Sequence, residues 1–338
     1  MSLNVSKLTK ALVISLALAV SASVLLLRQR SDLNEPQVVL VKKGMSAFQV
    51  IRQLKTFGII KSDLPIRIWA KLDFRKVMEG EYRIPPQATL FEVISIIWGG
   101  RSTFVPVVIP EGSNSWQIEK ILADFVPRDQ FWALWTDPEI LLSTGEPLAR
   151  NLEGLLAPNT YYINHAMDPV DIIKMIVGQS KKYYPPRQSL NGLTAYETLI
   201  LASLVESEAT MNSEREHIAG VFLNRLKKGM LLQCDPTVQY VKFKLALSNP
   251  LKIGRKDLER SHPYNTYRIS GLPPGPISSP GLRSMQAAAN PLSTEDLYFV
   301  ADGNGYHIFS SNLEDHLKAV QAYRKTKAQN KLIKQEAQ

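Results

Sequence analysis

Hydrophobic spacing divides the chain into three kinds of segment. An uncharged apolar run occupies residues 11–27, short strand–helix patterns follow, and from about residue 151 helices alternate with loops rich in proline and glycine. Apolar residues at i, i+3, i+4 and i+7 indicate amphipathic helices, and short alternating runs indicate strands. The pattern predicts a mixed α+β protein with a small α/β module ahead of a larger α+β region.

The apolar run Ala11–Leu27 predicts a membrane anchor. Its 17 residues contain no charge and three serines, and this length is at the lower end of what spans a bilayer as a helix. The run continues past a possible signal cleavage site at residues 17–19, which favours an uncleaved anchor. We expect residues 1–10 on the inner side, the span at 11–27, a polar linker at 28–36 and the bulk of the chain outside.

Residues 37–103 are predicted to form a small module. QVVLV and GEYRI have the alternation of strands, and each is followed by a turn and a helix with one apolar face. Thr89 and Glu92 form a capping box for the second helix. A third unit of the same kind begins at FVPVVI. Units of this kind resemble the LysM-type carbohydrate-binding modules of cell-wall proteins.

Two capping-box patterns predict consecutive helices in the larger region. Thr194 with Glu197 predicts a helix that starts directly after Thr194, and Ser213 with Glu216 predicts a second directly after Ser213. Gly229 is well placed to end the second helix.

Glu206 ends a mostly apolar face of the first of these helices. Leu199, Ala202 and Ser203 lie at helical spacing from it. Loss of solvation raises a carboxylic pKa, and a raised pKa suits a general acid. Most glutamates near a helix C-terminus are solvated surface groups, however, and Glu208, two positions on, is an equally eligible bystander.

Polar and aromatic residues of the following segments complete a candidate sugar site. Sugar hydroxyls and acetamido groups need fixed donors and acceptors, and tyrosine offers an apolar face with a hydroxyl. Taken singly, each residue is better explained as part of a turn or a cap. The candidate substrate-binding residues are Asn224, Gln233, Asp235, Thr237, Tyr240, Asn265 and Tyr267.

Charge and motifs narrow the chemistry further. The net charge of +9 suits anionic lipid, nucleic acid or an acidic cell-wall polymer, but no nucleic-acid-binding signature occurs. The five histidines lack metal-binding spacing, and neither a G-x-S-x-G elbow nor a phosphate-binding loop is present. We therefore expect no metal and no cofactor. Cys234 is the single cysteine and cannot form an internal disulfide.

Four motifs follow one another in the order of a known enzyme family. The chain contains LASLVESEA, SEREHIAGVFLNRLKKGMLLQCDPTVQY, PYNTYRISGLPPGPISSPG and YFVADGNGYHIF. They resemble the motifs of the endolytic murein transglycosylases of the MltG, or YceG-like, family. The match places core motifs at 151–316 within a catalytic region at 104–338. LEGLLAPNTY is less aromatic and less acidic than usual, Cys234 stands where threonine is common, and Tyr306 replaces a usual glycine.

The resemblance implies cleavage of peptidoglycan strands at the bond from N-acetylmuramic acid to N-acetylglucosamine. By motif it assigns Glu206 as the acid/base. The protonated carboxyl gives its proton to the leaving glycosidic oxygen, and the carboxylate then accepts the proton of the muramoyl C6 hydroxyl that attacks C1. The product is a 1,6-anhydro end. The resemblance also implies a single-pass protein of the bacterial inner membrane, with a periplasmic catalytic domain and penicillin-binding proteins among its possible partners.

Two alternatives remain open at this point. A two-carboxylate muramidase would use Glu206 as acid and Asp235 as base or nucleophile, and it would release reducing ends. A membrane-tethered scaffold without enzymatic activity would bind wall polymer through the LysM-like module. It would contact synthetic enzymes through the larger domain.

Overall fold

The computed structural model describes residues 25–72, 76–182 and 192–336, together with a few isolated positions before residue 25. The chain divides into two compact units. Unit 1 comprises Met1–Pro106 with Tyr162–Asp171, and unit 2 comprises Val107–Tyr161 with Ile172–Gln338. Unit 1 thus takes in a short segment that the sequence analysis assigned to the catalytic region.

Unit 1 has a two-stranded antiparallel sheet covered by helices. Val39 and Tyr82 are paired across the sheet, and both are fully buried. Capping boxes at Ser46 and Thr89 start the first and third helices, which confirms the box predicted at Thr89. The elements are β1 (Gln37–Val41), α1 (Ala47–Thr56), α2 (Leu64–Leu72), β2 (Gly80–Ile84) and α3 (Leu90–Ile97).

The segment before β1 is tied to unit 1. The predicted anchor, residues 11–27, lies mostly outside the described residues, and the helices that are described include none long and apolar enough to cross a bilayer. The predicted linker 28–36 is not free, because Leu90 N donates to Gln29 O (3.0 Å) and Ser31 N donates to Ala88 O (2.8 Å). The LysM-like character of unit 1 stays a prediction.

From β3 onward the chain is mainly helical, with two further small sheets. β3 and β4 pair with each other, and β5 pairs antiparallel with β6. The predicted mixed α+β class is confirmed. The elements are β3 (Val105–Ile109), α4 (Ser115–Leu122), α5 (Arg128–Leu134), α6 (Pro138–Thr144), β4 (Asn159–Ile163), α7 (Pro169–Ser180), α8 (Ala195–Glu208), α9 (Arg215–Lys227), α10 (Asp235–Lys244), α11 (Arg255–Leu258), α12 (Leu282–Ala289), β5 (Tyr298–Ala301), β6 (His307–Ser310) and α13 (Leu313–Glu336).

Helix α8 lies at the centre of the core of unit 2. The predicted capping box is present, because the Thr194 hydroxyl accepts from Glu197 N and the Glu197 carboxylate accepts from Thr194 N. Almost every side chain before the last turn is buried. The capping box predicted at Ser213 is wrong: a 3₁₀ turn at Asn212–Glu214 leads into α9 without a side-chain cap.

Glu153 joins two helices inside unit 2. Its carboxyl accepts from Ser115 N (3.0 Å) and Ser115 Oγ (2.7 Å) at the start of α4, and from Tyr240 Oη (2.9 Å) of α10. Burial raises the pKa of Glu153 to about 7, although these hydrogen bonds act in the opposite direction. The group therefore keeps its proton in the folded protein well above the pH at which an unfolded chain releases it.

Glu153→Gln should weaken the pH dependence of stability. Between about pH 4.5 and 7 the folded state holds a proton on Glu153 that the unfolded state has lost, so the free energy of unfolding falls as pH rises through this window. The loss is on the order of 3 kcal/mol. Urea unfolding at a series of pH values should show a shallower decline for the variant than for wild type. The exposed Glu295→Gln serves as control, and equal slopes in all three proteins would contradict the prediction.

Candidate active site

The last turn of α8 carries two glutamates on opposite sides. Glu206 and Glu208 are two residues apart, which separates them by about 200° around a helix of 3.6 residues per turn. Glu206 contacts Arg215 of α9 and the backbone of Gly281. Glu208 instead contacts Cys234 and Asp235 at the start of α10. One helix end therefore presents a carboxyl to each of two separate cavities.

Glu206 forms a buried ion pair. Its Oε1 lies 3.0 Å from Arg215 Nη2, and 6% of the Glu206 side chain and 8% of the Arg215 side chain are exposed. Gly281 N donates to Oε2 at 2.9 Å. Arg215 in turn donates through Nε to Asn212 Oδ1 (3.0 Å) and through Nη1 to Ser284 Oγ. The predicted helix face of Leu199, Ala202 and Ser203 is buried, and at its end a cation and a backbone donor, which the sequence did not indicate, occupy the two oxygens of Glu206.

A cleft of about 230 Å³ opens beside Glu206. Gly281 lies so close to the Glu111 carboxyl that a Cβ on it would come within 2.0 Å of Glu111 Oε1. A larger residue at 281 would therefore displace the exposed Glu111 carboxyl. The residues that line the cleft are Gly112, Asn114, Gln117, Glu206, Ser207, Pro236, Gln239, Tyr240, Phe243, Leu251, Ile277 and Ser278.

Glu208 faces a larger cavity of about 400 Å³. The side chain is partly exposed to this cavity, yet burial raises its pKa to about 7 and the charge of Asp235 adds to the effect. The Cys234 thiol and the Asp235 backbone N–H donate to it, and together with the charge of Arg225 they oppose the rise. The lining residues are Glu208, Arg225, Leu232, Gln233, Asp235, Tyr267, Phe299, Val300, Ala301, His307, His316 and Val320.

Asp235 and Tyr267 form a hydrogen-bonded pair on the wall of this cavity. The Tyr267 hydroxyl donates to Asp235 Oδ1 at 2.6 Å. Burial, followed by this hydrogen bond, raises the pKa of Tyr267 well above its usual range. The hydroxyl thus stays protonated, and it fixes one oxygen of a carboxylate that lies near Glu208.

The neighbouring wall contains a strained residue. Gln233 has φ +48°, a left-handed conformation that costs a non-glycine residue about 1 kcal/mol or more. Hydrogen bonds hold it there: Gln233 N donates to Thr266 O (3.1 Å), and Cys234 N donates to Thr266 Oγ1 (2.9 Å). Thr237 Oγ1 is in turn 2.9 Å from Thr266 Oγ1. This buried network aims the Gln233 side chain toward the cavity.

Arg225 supplies a cation that the surrounding fold holds in place. Its Nε donates to Leu297 O (2.6 Å) and its Nη1 donates to Leu232 O (2.9 Å). The guanidinium also lies over the ring of Tyr298, 5.2 Å from the centroid. Burial lowers the pKa of Arg225 from its usual value, but an arginine remains charged. Its charge therefore acts on the cavity from a fixed position.

The predicted substrate-binding residues separate into two groups. Gln233, Asp235 and Tyr267 line the cavity of Glu208, and Tyr240 lines the cleft of Glu206 while donating to Glu153. The other three use their polar atoms inside the fold: Asn224 donates to Thr294 O and Asp296 O, Asn265 donates to three backbone carbonyls, and Thr237 is fully buried.

Sequence reasoning missed two arginines at this site. Arg215 could have been found from the sequence. A cation in the first turn of a helix interacts unfavourably with the helix dipole, which indicates that an anion lies nearby. Arg225 had none, since its partners are backbone carbonyls. Within the described ranges, no group of three histidine, cysteine, aspartate or glutamate side chains could hold a metal ion.

A carboxyl with a raised pKa that faces a cavity fits general acid catalysis. A sequence model of the YceG-like family matches residues 39–322. The chain belongs to the YceG-like family.

Named relatives agree with this membership. The chain is 33% identical to the endolytic murein transglycosylase of Bacillus subtilis, over 84% of this chain and 83% of that protein. It is 30% identical to the Streptococcus pneumoniae protein of the same name, over 84% of this chain and 58% of the longer relative. A crystal structure of a putative yceG-like protein from Listeria monocytogenes superposes with a TM-score of 0.54 at 31% identity, covering 84% of this chain and 99% of the other.

Glu206→Gln should destabilise unit 2. The substitution leaves the buried Arg215 without its anion, and breaking a buried pair from one side costs about 3–5 kcal/mol. Urea unfolding at neutral pH measures the loss. The exposed Glu216→Gln in the same region should change the free energy of unfolding by less than about 0.5 kcal/mol. Equal stability of the two variants would show that the pair contributes nothing.

Proposed function

We propose that this protein is a lytic transglycosylase that cleaves peptidoglycan glycan strands internally, at the bond from N-acetylmuramic acid to N-acetylglucosamine. The observation that carries the proposal is the Glu208 carboxyl. It has a pKa of about 7 and faces a cavity whose walls include Gln233, Asp235 and Tyr267. The names of the relatives support the substrate class.

Glu208 is the better candidate for the acid/base than Glu206. A general acid must hold a proton at working pH, and the raised pKa of Glu208 satisfies this condition. Glu206 has Arg215 on one oxygen and Gly281 N on the other, so groups of the fold already occupy both of its oxygens. The role that the resemblance gives to Glu206 stays a prediction. We assign Glu206 to holding Arg215 and the end of α8.

The proposed reaction needs one carboxyl. Neutral Glu208 gives its proton to the glycosidic oxygen as the C1–O bond breaks and N-acetylglucosamine leaves. The Glu208 carboxylate then accepts the proton of the muramoyl C6 hydroxyl, whose oxygen bonds to C1 and closes the 1,6-anhydro ring. The acid is regenerated and no water is consumed.

Positioning of the sugar contributes as much as the acid. The nucleophile belongs to the substrate, and well-oriented intramolecular reactions reach effective molarities on the order of 10⁵ M or more. The Asp235–Tyr267 pair, joined by a hydrogen bond, offers a fixed donor and acceptor next to Glu208, and hydrogen bonds hold the backbone of Gln233 on the same wall. Because these groups are already ordered, binding a sugar costs little side-chain entropy.

We further propose that residues 11–27 anchor the protein in the bacterial inner membrane, with the catalytic domain in the periplasm. The uncharged apolar run supports this location. An anchored enzyme meets glycan strands where they are made, which fits the partnership with peptidoglycan synthases that the resemblance implies.

A muramidase is the second candidate, and one observation favours it. Asp235 lines the same cavity as Glu208, so the cavity holds the two carboxyls that a hydrolase needs. In that reaction Asp235 would activate water or attack C1 itself. The product would then carry a reducing N-acetylmuramic end instead of an anhydro end.

Glu208→Gln should abolish strand cleavage without unfolding the protein. Loss of general acid/base catalysis costs about 10²–10⁴-fold in rate. Mass spectrometry of purified strands incubated with the full chain measures anhydro-ended fragments, and in wild type their rate should fall as pH rises above about 7, where Glu208 loses its proton. Glu206→Gln, corrected for its folded fraction, should keep activity. An inactive Glu206→Gln together with an active Glu208→Gln would return the role to Glu206.

Asp235→Asn separates the two candidate reactions. A lytic transglycosylase with Glu208 as its one acid/base should keep anhydro products, with a rate reduced because Tyr267 then donates to an uncharged amide oxygen. A two-carboxylate muramidase should lose cleavage by several orders of magnitude. The same mass spectra report the product end directly, and reducing ends from wild type would overturn the lyase proposal.

A further inference from the structure

The geometry points to a membrane-docking surface on unit 1. We name it the entry patch, and it consists of Arg28, Arg30, Lys61 and Phe91. The partner is a lipid surface with anionic headgroups. The inference rests on the proposed anchor at residues 11–27 and extends it to a folded unit held against the bilayer.

Contacts with unit 1 hold the chain directly after the apolar run, so this segment is not a flexible linker. Leu27, the last residue of the run, packs against the core of unit 1. Two residues later Gln29 O accepts from Leu90 N, and Arg30 forms an isolated β-bridge with Thr89. Leu33 O then accepts from Gln87 N. Bonds across the whole stretch from 29 to 33 fix the end of the run to the loop before α3.

This tether is about as long as the headgroup layer is deep. Two residues span at most about 7 Å, and the headgroup region on each side of the hydrocarbon core is about 5–7 Å thick. If the run ends where the hydrocarbon ends, the loop before α3 lies among the headgroups. A long flexible linker would have removed this constraint, but hydrogen bonds occupy residues 29–33.

Phe91 is the apolar member of the patch. It directly follows Leu90, the residue bonded to Gln29, and 63% of its surface is exposed. Its neighbours Leu90 and Val93 on α3 are buried, so the helix turns this one ring away from the core. Exposed aromatic rings beside a membrane segment commonly insert at the headgroup level.

The charges around Phe91 match an anionic surface. Arg28 and Arg30 are exposed, and Lys61 is bound to Asp32 at 2.8 Å, which places it beside the same segment. Asp32 and Glu92 are the acidic neighbours: Asp32 is paired with Lys61, and the Glu92 carboxylate caps α3 by accepting from Thr89 N. The cations exceed the anions here, and anionic lipids attract juxtamembrane lysine and arginine.

The test uses the full chain with a cysteine at position 91. Phe91→Cys carries an environment-sensitive fluorophore, and the protein is reconstituted into vesicles of equimolar phosphatidylglycerol and phosphatidylcholine that contain a spin-labelled quencher lipid. Leu142→Cys is the matched control, because Leu142 is 83% exposed on unit 2. Unmutated protein controls for labelling at Cys234, which is buried. The label at 91 should be quenched severalfold more than the label at 142, and less in vesicles of phosphatidylcholine alone.

Alkaline extraction of the same vesicles tests the anchor separately. Protein that stays with the vesicles while the labels at 91 and 142 are quenched equally would overturn the docking surface and leave the anchor in place. Protein released by alkali would overturn the anchor, and the docking surface with it. Protein that stays with the vesicles after alkali, with stronger quenching at 91 than at 142, supports both the anchor and the docking surface. Circular dichroism of each labelled variant confirms that unit 1 is folded.

Discussion

The buried ion pair between Glu206 and Arg215 is the interaction on which the site depends. It links α8 to α9, and through Ser284 and Gly281 it reaches the start of α12. Removing two charges from water costs several kcal/mol per ion, and this cost is offset where the remaining donors and acceptors are satisfied. Here Asn212 and Ser284 satisfy the other nitrogens of Arg215. The pair ties the C-terminal end of α8, which also carries Glu208, to α9 and to the residue before α12.

Two glutamates in one helical turn receive opposite environments. Glu206 meets a guanidinium and a backbone N–H, whereas Glu208 meets a weak thiol donor, one backbone N–H and the like charge of Asp235. Burial near a second carboxylate stabilises the neutral form of Glu208. The chemistry of the site is therefore set by which neighbours each side chain reaches, and the residue type alone does not decide it.

Local signals could be predicted from the sequence, and long-range contacts could not. The capping boxes at Thr89 and Thr194 involve residues three apart, so their pattern is visible in the chain. The contact of Gly281 with Glu206 joins residues 75 positions apart, and no local pattern of hydrophobic and polar residues indicates it. The capping box expected at Ser213 is absent. Asn212–Glu214 form a 3₁₀ turn instead, and Arg215 Nε donates to Asn212 Oδ1.

The residues that were expected to bind sugar show how the fold forms the wall of the cavity beside Glu208. Thr237 and Asn265 are buried and bonded to backbone groups, because a loop folded against a core must first satisfy its own donors and acceptors. That internal bonding holds Gln233 in a conformation it would not adopt alone. The polar residues of the motifs thus divide into those that are hydrogen-bonded inside the fold and those that line the cavity. Gln233, Asp235 and Tyr267 line the cavity together, and Gln233 does so at a cost in backbone strain.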